Sequence, residues 1–477
     1  PPPRLPPLSL CMSPHRLAPL LLSMAWCAYG AVVQPPPVAS RQPSRTSVAP
    51  VFTEVCTHTG VTLSRYMCEV ARANPELQDL ETLMSSVQTA CKTIGSLVAR
   101  AHITGMVGYH GGGGSINVQG EEQKVLDVTT NEILQKALRF TGKMGVIASE
   151  EEDAPLEIDE DNRGIPTYNF DALVDETSKY VAVFDPLDGS SNVDAGVPTG
   201  TIFGIFEVPE DGGMCVVCDD DDESGSPDDD ECDTQAGQPS LKCLQSTLQP
   251  GSSLVASGYC LYSSSTFFCL TLGAGVNIFT LDPTIGEFVL THPNVQVPSR
   301  GSIYSVNEGN RALWDEPMRE YITALQEGRG ETARRYTSRY IGSMVGDVHR
   351  TLQYGGIFAY PADAKNPDGK LRLLYEAAPM AFLMEQAGGL ALTGKTRVMD
   401  LIPQSVHQRV PVVLGSREDV LECRKFYDAS GDPELRARCY SRLQPGQSLD
   451  NSLNNRHDSV ALDTDGDGKV DTIAPFE

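Results

Sequence analysis

Positive charge is what this chain has least of. Its 477 residues carry 37 Lys plus Arg against 63 Asp plus Glu, a formal net charge of −26. The phosphate backbone of a nucleic acid would be repelled, so a general nucleic-acid binder is excluded. Long apolar runs are lacking too, apart from the uncharged stretch 17–33, which rules out a polytopic membrane protein. No internal repeat is visible, and no phosphate loop of the Walker kind is expected, which disfavours nucleotide hydrolysis of that type. The 13 cysteines are an odd number in a chain this long, a poor match to a secreted disulfide scaffold. What remains is ordinary globular composition, 40% hydrophobic and 21% charged, with length enough for a large buried core.

Acidic residues are themselves absent before Glu54, while Arg4, Arg16, Arg41 and Arg45 all fall there with 12 of the 33 prolines. A basic flank at His15 and Arg16, the apolar stretch and small residues after it look like a secretory signal. The acid-free Ser/Arg segment from Ser40 to Ser47 looks like a transit peptide. Residues 1–50 therefore read as a two-part targeting leader, the alternative being a single membrane anchor. Folded protein is expected from about 51. Segments 62–72 and 80–100 have apolar residues at helical spacing. Short apolar runs at 145–148, 180–184, 201–206, 276–281 and 410–414 read as strands, with helical stretches at 131–140 and 373–386. Mixed elements on this scale mean a layered α/β or α+β enzyme. Residues 207–233 hold thirteen acids, no base and three cysteines, a solvated insert. From 428 to 477 the chain is a polar tail.

Chemistry concentrates where predicted strands end. Asp185-Pro-Leu-Asp-Gly-Ser-Ser-Asn192 sets two carboxylates on one turn, repulsive unless a cation joins them. Gly189 and the serines let backbone amides approach an anion. An ordinary Asp-Pro/Asp-Gly turn is the plainer alternative. The run 145–148 ends in Ser149-Glu-Glu-Glu-Asp153. Glu376 interrupts the apolar Leu373-Leu-Tyr-Glu-Ala-Ala-Pro-Met-Ala-Phe-Leu-Met384, where an ionised side chain is costly unless paired or metal-bound. Asp127 is a fourth acid between apolar neighbours. Taken one at a time these are turns, helix starts or salt-bridged acids; together they point to a hard divalent cation and phosphoryl chemistry.

These residues resemble the fructose-1,6-bisphosphatases among the metal-dependent sugar phosphatases, over roughly 62–427. The likeness rests on Asp185–Asn192, Leu281-Asp-Pro-Thr-Ile-Gly-Glu-Phe288, Gly342-Ser-Met-Val-Gly-Asp-Val-His-Arg-Thr-Leu352 and Gly369-Lys-Leu-Arg-Leu-Leu-Tyr-Glu-Ala-Ala-Pro-Met-Ala381. The last motif is shared with sedoheptulose-bisphosphatases, the alternative specificity; Ser191-Asn192 and Tyr354-Gly-Gly-Ile-Phe358 look like the fructose enzymes. The resemblance implies a layered α-β-α-β-α fold, with halves at 51–270 and 271–427 and an insert at 207–250. It also implies two to three Mg²⁺ per subunit. Glu150, Asp185, Asp188, Glu376 and the Leu187 carbonyl match metal ligands, and Glu121 a further metal-associated position. Asp127 and Glu151 match the pair that activates the attacking water. Gly189 and Ser190 are expected to hold the C1 phosphate and Arg372 to lie near it. Asn307, Tyr340, Tyr360 and Lys370 match residues that grip the C6 phosphate and sugar. Arg339 matches an arginine reaching across a subunit interface, implying a homo-oligomer, typically a tetramer.

Two regulatory regions depart from or extend that pattern. AMP-inhibited relatives bind the nucleotide phosphate with a threonine between the first two helices and an arginine after the strand near Phe206. Here those regions read Asn74-Pro-Glu-Leu-Gln-Asp79 and Glu207, so weak or no AMP inhibition is expected. The acidic insert resembles the thioredoxin-reduced insertion of chloroplast members, with Cys215, Cys218, Cys232 and Cys243 as candidates whose pairing is open. Cys260 and Cys269 are expected to be buried and inert. Asp463-Thr-Asp-Gly-Asp-Gly-Lys-Val-Asp471 spells the first nine positions of a calcium loop, but position twelve is Ala474. The combined expectation is a plastid enzyme with no stable membrane association once the leader is removed.

Overall fold

The structure, a computed structural model, describes residues 60–108, 124–157, 179–209, 244, 246–430, 460–462 and 472–474. Thr62 caps the first helix, α1 (Leu63–Ala73), by accepting from Arg65 N at 3.2 Å. Helix α2 (Gln78–Thr104) stops at Gly105, whose φ of 71° suits a residue without Cβ. Helix α3 (Val125–Arg139) begins at Val125, well before the expected 131, because the Asp127 carboxylate accepts from Lys124 N at 2.9 Å and caps that end.

One mixed sheet holds β1 (Met144–Ser149), β2 (Leu156–Glu157), β3 (Tyr180–Asp188), β4 (Thr199–Glu207), β5 (Leu254–Tyr262), β6 (Thr266–Thr271), β7 (Asn277–Asp282) and β8 (Glu287–His292). Its order is β2-β1-β3-β4-β5-β6-β7-β8, with β1 and β3 parallel and the other neighbours antiparallel. A second sheet contains β9 (Ile303–Ser305), β10 (Thr337–Ser338), β11 (Ile357–Tyr360), β13 (Leu390–Leu392) and β15 (Val412–Gly415). It is ordered β10-β9-β11-β15-β13. The short pair β12 (Leu371–Arg372) and β14 (Arg409–Val410) lies outside both. The expected strand 410–414 is thus two, divided at Pro411, which has no N–H for a ladder.

Side-chain alternation builds the layers. Ala182 and Phe184 of β3, with Phe203 and Ile205 of β4, pack against Leu83, Leu126 and Leu134 of α2 and α3. From the opposite face, Val181, Val183, Ile202 and Phe206 meet α5 (Met344–Tyr354) and α6 (Ala378–Gln386). Phe358, Val412 and Leu414 of the second sheet join that same core. Their neighbours Ile357, Ala359 and Val413 point away, toward α4 (Glu316–Glu327) and α7 (Arg417–Ala429). The result is the five-layer α-β-α-β-α stack that the family resemblance implies.

Three details depart from expectation. Glu207 is the last residue of β4, opposite Tyr180, rather than part of the insert. The stretch 373–386 is not one α-helix: Leu373–Ala377 is a π-helical turn closed by Ala378 N to Leu373 O, before α6. Pro379 cannot donate into an ordinary α-helical ladder, so the wide turn spares that missing bond. The tail contains strands β16 (Val460–Leu462) and β17 (Thr472–Ala474), paired antiparallel on either side of residues 463–471. The leader, Glu121 and all four insert cysteines lie outside the described residues. Cys260 and Cys269 are buried, as expected. Among the described residues no helix is long and apolar enough to cross a membrane.

The segment Gly389-Leu-Ala-Leu-Thr-Gly-Lys-Thr396 does spell a phosphate-loop pattern, against the expectation that none exists. Its middle is β13, and only a 3-10 turn, Val398–Asp400, follows, so it is not a loop opening onto a helix. The letters carry no phosphate site.

Close strand packing gives a stability test. A Cβ on Gly258 would lie 2.4 Å from Phe203 Cζ and 2.5 Å from the Cys269 carbonyl oxygen. Gly258→Ala is expected to cost about 1–3 kcal/mol, read as a lower denaturant midpoint with unchanged slope.

Candidate active site

Parallel pairing of β1 and β3 puts their C-terminal ends at one edge of the first sheet. Glu150 follows β1 and donates its backbone N–H to Phe184 O at 3.2 Å, which seats it beside Asp185. Pairing of β3 with β4 slips between Asp185 and Asp188, and the Leu187 N–H donates to Asp185 Oδ1 at 3.0 Å. This bulge turns Asp185 and Asp188 toward the same space. Gly189, at φ 73°, then opens the 3-10 turn Ser190–Ala195, and the Asn192 side chain donates to Gly342 O at 3.0 Å. The N-terminus of α5 arrives from the other side, with Val345 N donating to Asp188 Oδ2 at 3.2 Å. Finally, the π-helical turn delivers Glu376, 3% exposed, whose carboxylate accepts from Arg372 N.

Ligand oxygens of Asp185, Asp188 and Glu376 all lie within 4.8 Å of one another. They line a cleft of about 440 Å³ that also contains Glu150, Glu151, Asp127 and Leu187. Gly189, Ser190, Arg372, Tyr340, Tyr360 and Lys370 complete the expected set within it. Asn307 and Arg339 are not brought there. The Asn307 side chain accepts from Gly309 N at 3.1 Å, capping a 3-10 turn, and Arg339 is exposed beside β10. Other cleft residues, among them Lys124, Asn192 and Ser343, carried no individual prediction. Ser343 belongs to the quoted motif at 342–352; its buried Oγ has no hydrogen-bond partner among the described residues.

Charge decides what this cleft does. The Arg372 guanidinium reaches Glu150 at 3.0 Å and Glu376 at 3.9 Å, and with Lys124 and Lys370 it makes three cations against seven carboxylates lining the cleft. Burial pushes Asp185 well above the usual carboxylate range, and the charges of Glu150, Asp188 and Glu376 push further. Burial raises Asp188 to about 6, although the Val345 amide opposes it, and Glu150 adds to the rise. Glu376 goes up to about 8 through burial, with Arg372 opposing and Glu150 and Asp188 adding. Asp127 is raised mainly by burial, held back by the Lys124 amide and the Ser190 side chain. Such a set, all oxygen, crowded and short of positive charge, fits a hard divalent cation.

Two family models match the chain: Fructose-1-6-bisphosphatase, N-terminal domain, over 61–293, and Fructose-1-6-bisphosphatase, C-terminal domain, over 297–428. The chain belongs to the fructose-1,6-bisphosphatase family. It is thereby a sugar bisphosphatase, a phosphoric monoester hydrolase. Among its relatives, the chloroplastic fructose-1,6-bisphosphatase of Oryza sativa subsp. indica is 46% identical over 80% of this chain and 87% of its own length. The chloroplastic fructose-1,6-bisphosphatase 1 of Arabidopsis thaliana is 50% identical over 73% and 76%. A crystal structure of Leishmania major fructose-1,6-bisphosphatase in holo form superposes with a TM-score of 0.65 at 40% identity. That match covers 78% of this chain and 100% of the other.

The raised carboxyls predict a pH effect in metal-free protein. Folded Glu376 keeps a proton that the unfolded chain releases above its ordinary 4.5, so this residue lowers stability progressively as pH rises from there through about 8. Glu376→Gln removes that penalty while keeping an oxygen for Arg372 N. Without metal the variant should melt above wild type at alkaline pH, by about 2–4 °C per kcal/mol relieved. The gain should vanish in acid. A wild type and variant that melt together at alkaline pH would contradict this electrostatic account.

Proposed function

We propose that this chain hydrolyses the C1 phosphate of fructose 1,6-bisphosphate, giving fructose 6-phosphate and inorganic phosphate. The observation that carries the reading is the convergence of Asp185, Asp188 and Glu376 within 4.8 Å, in the cleft that also holds Tyr340, Tyr360 and Lys370. Glu150, Asp185, Asp188, Glu376 and the Leu187 carbonyl would hold two to three Mg²⁺, with Glu121 as a further contributor. When bound, the cation supplies charge neutralisation on the phosphoryl oxygens and a more acidic water.

The chain's own groups do the rest. Amides of Gly189 and Ser190 cradle the C1 phosphate at the mouth of the 3-10 turn, and Arg372 adds a positive charge beside it. Asp127 and Glu151 accept the proton of the attacking water; burial of Asp127 makes it a stronger base than a solvated aspartate. Water oxygen bonds to phosphorus as the phosphorus–O1 bond breaks, and the sugar oxygen ends protonated. Lys370, its Nζ 5.8 Å from the centre of the Tyr360 ring, stands where a C6 phosphate would meet charge and an aromatic wall. Asn307, which caps a 3-10 turn outside this cleft, would join that grip only through a shift of its turn toward the bound sugar, and Arg339, exposed at the edge of the second sheet, would serve a neighbouring subunit in a homotetramer.

Regulation and place follow the same reading. The enzyme works in the plastid stroma, delivered by the leader at 1–50, with catalytic halves at 51–270 and 271–427 and a tail at 428–477. The base of the insert is closed where the Gln249 side chain donates to Glu207 O at 2.9 Å. Reduction of a disulfide among Cys215, Cys218, Cys232 and Cys243 by thioredoxin would raise activity. AMP inhibits weakly or not at all. Asp79 supports this by lying 3.0 Å from Lys143 Nζ and 3.2 Å from Lys179 Nζ, neutralising both lysines.

Phosphate release should be tested with fructose 1,6-bisphosphate and sedoheptulose 1,7-bisphosphate, each with and without Mg²⁺. The fructose substrate is expected to be preferred and the rate to vanish without metal; preference for the seven-carbon sugar would favour the alternative specificity. Dithiothreitol should accelerate oxidised enzyme, and identical rates would remove the redox reading. Micromolar AMP should leave the rate unchanged, and tight inhibition would refute that expectation.

A further inference from the structure

Two acid-bearing segments meet at the cleft from opposite parts of the chain: 149–153 after β1, and the π-helical turn 373–377. His407 touches both. A carbonyl oxygen only accepts, so the 2.9 Å contact between His407 Nε2 and Glu152 O assigns the ring proton to Nε2. In a neutral ring Nδ1 then accepts, and the Tyr375 hydroxyl, 2.8 Å away, donates to it. Tyr375 is the residue before Glu376, and Glu152 follows Glu150 and Glu151. On the far side, the Glu152 side chain accepts from Asn131 at 2.9 Å and Gln135 at 2.6 Å, both on α3, the helix that carries Asp127. Asn131 in turn accepts from Ser149 Oγ at 2.7 Å. His407 itself is anchored, since its neighbour Gln408 accepts from Leu373 N at 2.7 Å.

We propose that His407, with Glu152 and Tyr375, is a positioning residue that clamps the Glu150–Glu151 segment to the Glu376 turn, so that the metal-holding acids are assembled before the cation arrives. The inference rests on the metal reading above. Another link between the same segments, Arg372 to Glu150, uses a carboxylate oxygen that a cation would claim. The His407 link uses a backbone carbonyl and a phenol, no ligand atom, and therefore survives metal binding. Groups of this kind, one bond removed from the ligands, set how tightly a metal is held.

The test is calorimetric titration of Mg²⁺ alone into substrate-free full-length enzyme, alongside kinetics and hydrogen exchange of residues 149–153. His407→Ala and Tyr375→Phe should each weaken Mg²⁺ binding about tenfold and lower kcat, with KM for the bisphosphate near wild type. The double variant should be no worse than His407→Ala alone, because both cut one linkage. His407→Gln, able to donate to Glu152 O, should recover part of the affinity. Exchange at 149–153 should speed up in metal-free His407→Ala. Tyr375→Phe removes a single oxygen and decides the matter should the alanine variant not fold. Wild-type binding and exchange in Tyr375→Phe, or losses that multiply in the double variant, overturn the inference. A wild type that binds no Mg²⁺ overturns the metal reading and this inference with it; variants that bind as well as an active wild type overturn this inference alone.

Discussion

Asp185, Asp188 and Glu376 repel one another inside 4.8 Å, with Glu150 close by and Arg372 as the nearest counter-charge. Solvent screening is poor there, because Asp185 is 1% exposed and Glu376 3%. A chain left to itself would move these groups apart or protonate them. Holding them together requires that each supporting segment be stiffer than the repulsion is strong. That constraint explains why the acids sit at strand ends, at a helix N-terminus and on a π-helical turn rather than on free loops.

Each support has its own origin. Asp127 is fixed by capping α3, Asp185 by the amide of Leu187, and Asp188 by the amide of Val345 at the start of α5. Glu376 is fixed by the amide of Arg372. Backbone N–H groups thus stabilise the ionised forms locally while leaving other carboxylate lone pairs directed at the cleft. The layered fold supplies the rest: two sheets sharing the α5–α6 layer bring the ends of β1 and β3 against the turn that follows β12.

Legibility in the sequence tracked how local each signal is. The strand ends and their acids could be read because apolar runs stop abruptly at carboxylates, as at Ala148 and Phe184. The start of α3 could not, since Val125, Val128, Thr129 and Thr130 are β-branched and the cap depends on a backbone amide. Similarly, 373–386 has a continuous apolar pattern that hides the π-helical turn, and only Pro379 marks it. His407 gave no signal at all; its role depends on contacts with residues 32 and 255 positions away. Specific placement of Tyr340, Tyr360 and Lys370 was available through family resemblance and not through spacing.

The β3–β4 pair also ties the acids to the opposite edge of the first sheet. β3 and β4 run as a pair from the insert's base, where Val208 N donates to Lys179 O, to the cleft, where Asp188 faces Gly200. Seven residues from Glu207 to Gly200 span about 23 Å at the rise of an extended strand. A displacement at the base of this pair would reach the cleft by shifting the β3–β4 register or the helices packed on it. Gly200 makes the far end sensitive to such a shift, because a Cβ there would already lie 2.7 Å from Val345 Cγ1. Val345 is the residue whose amide holds Asp188, so a small slide of β4 is felt directly at an acid of the carboxylate cluster.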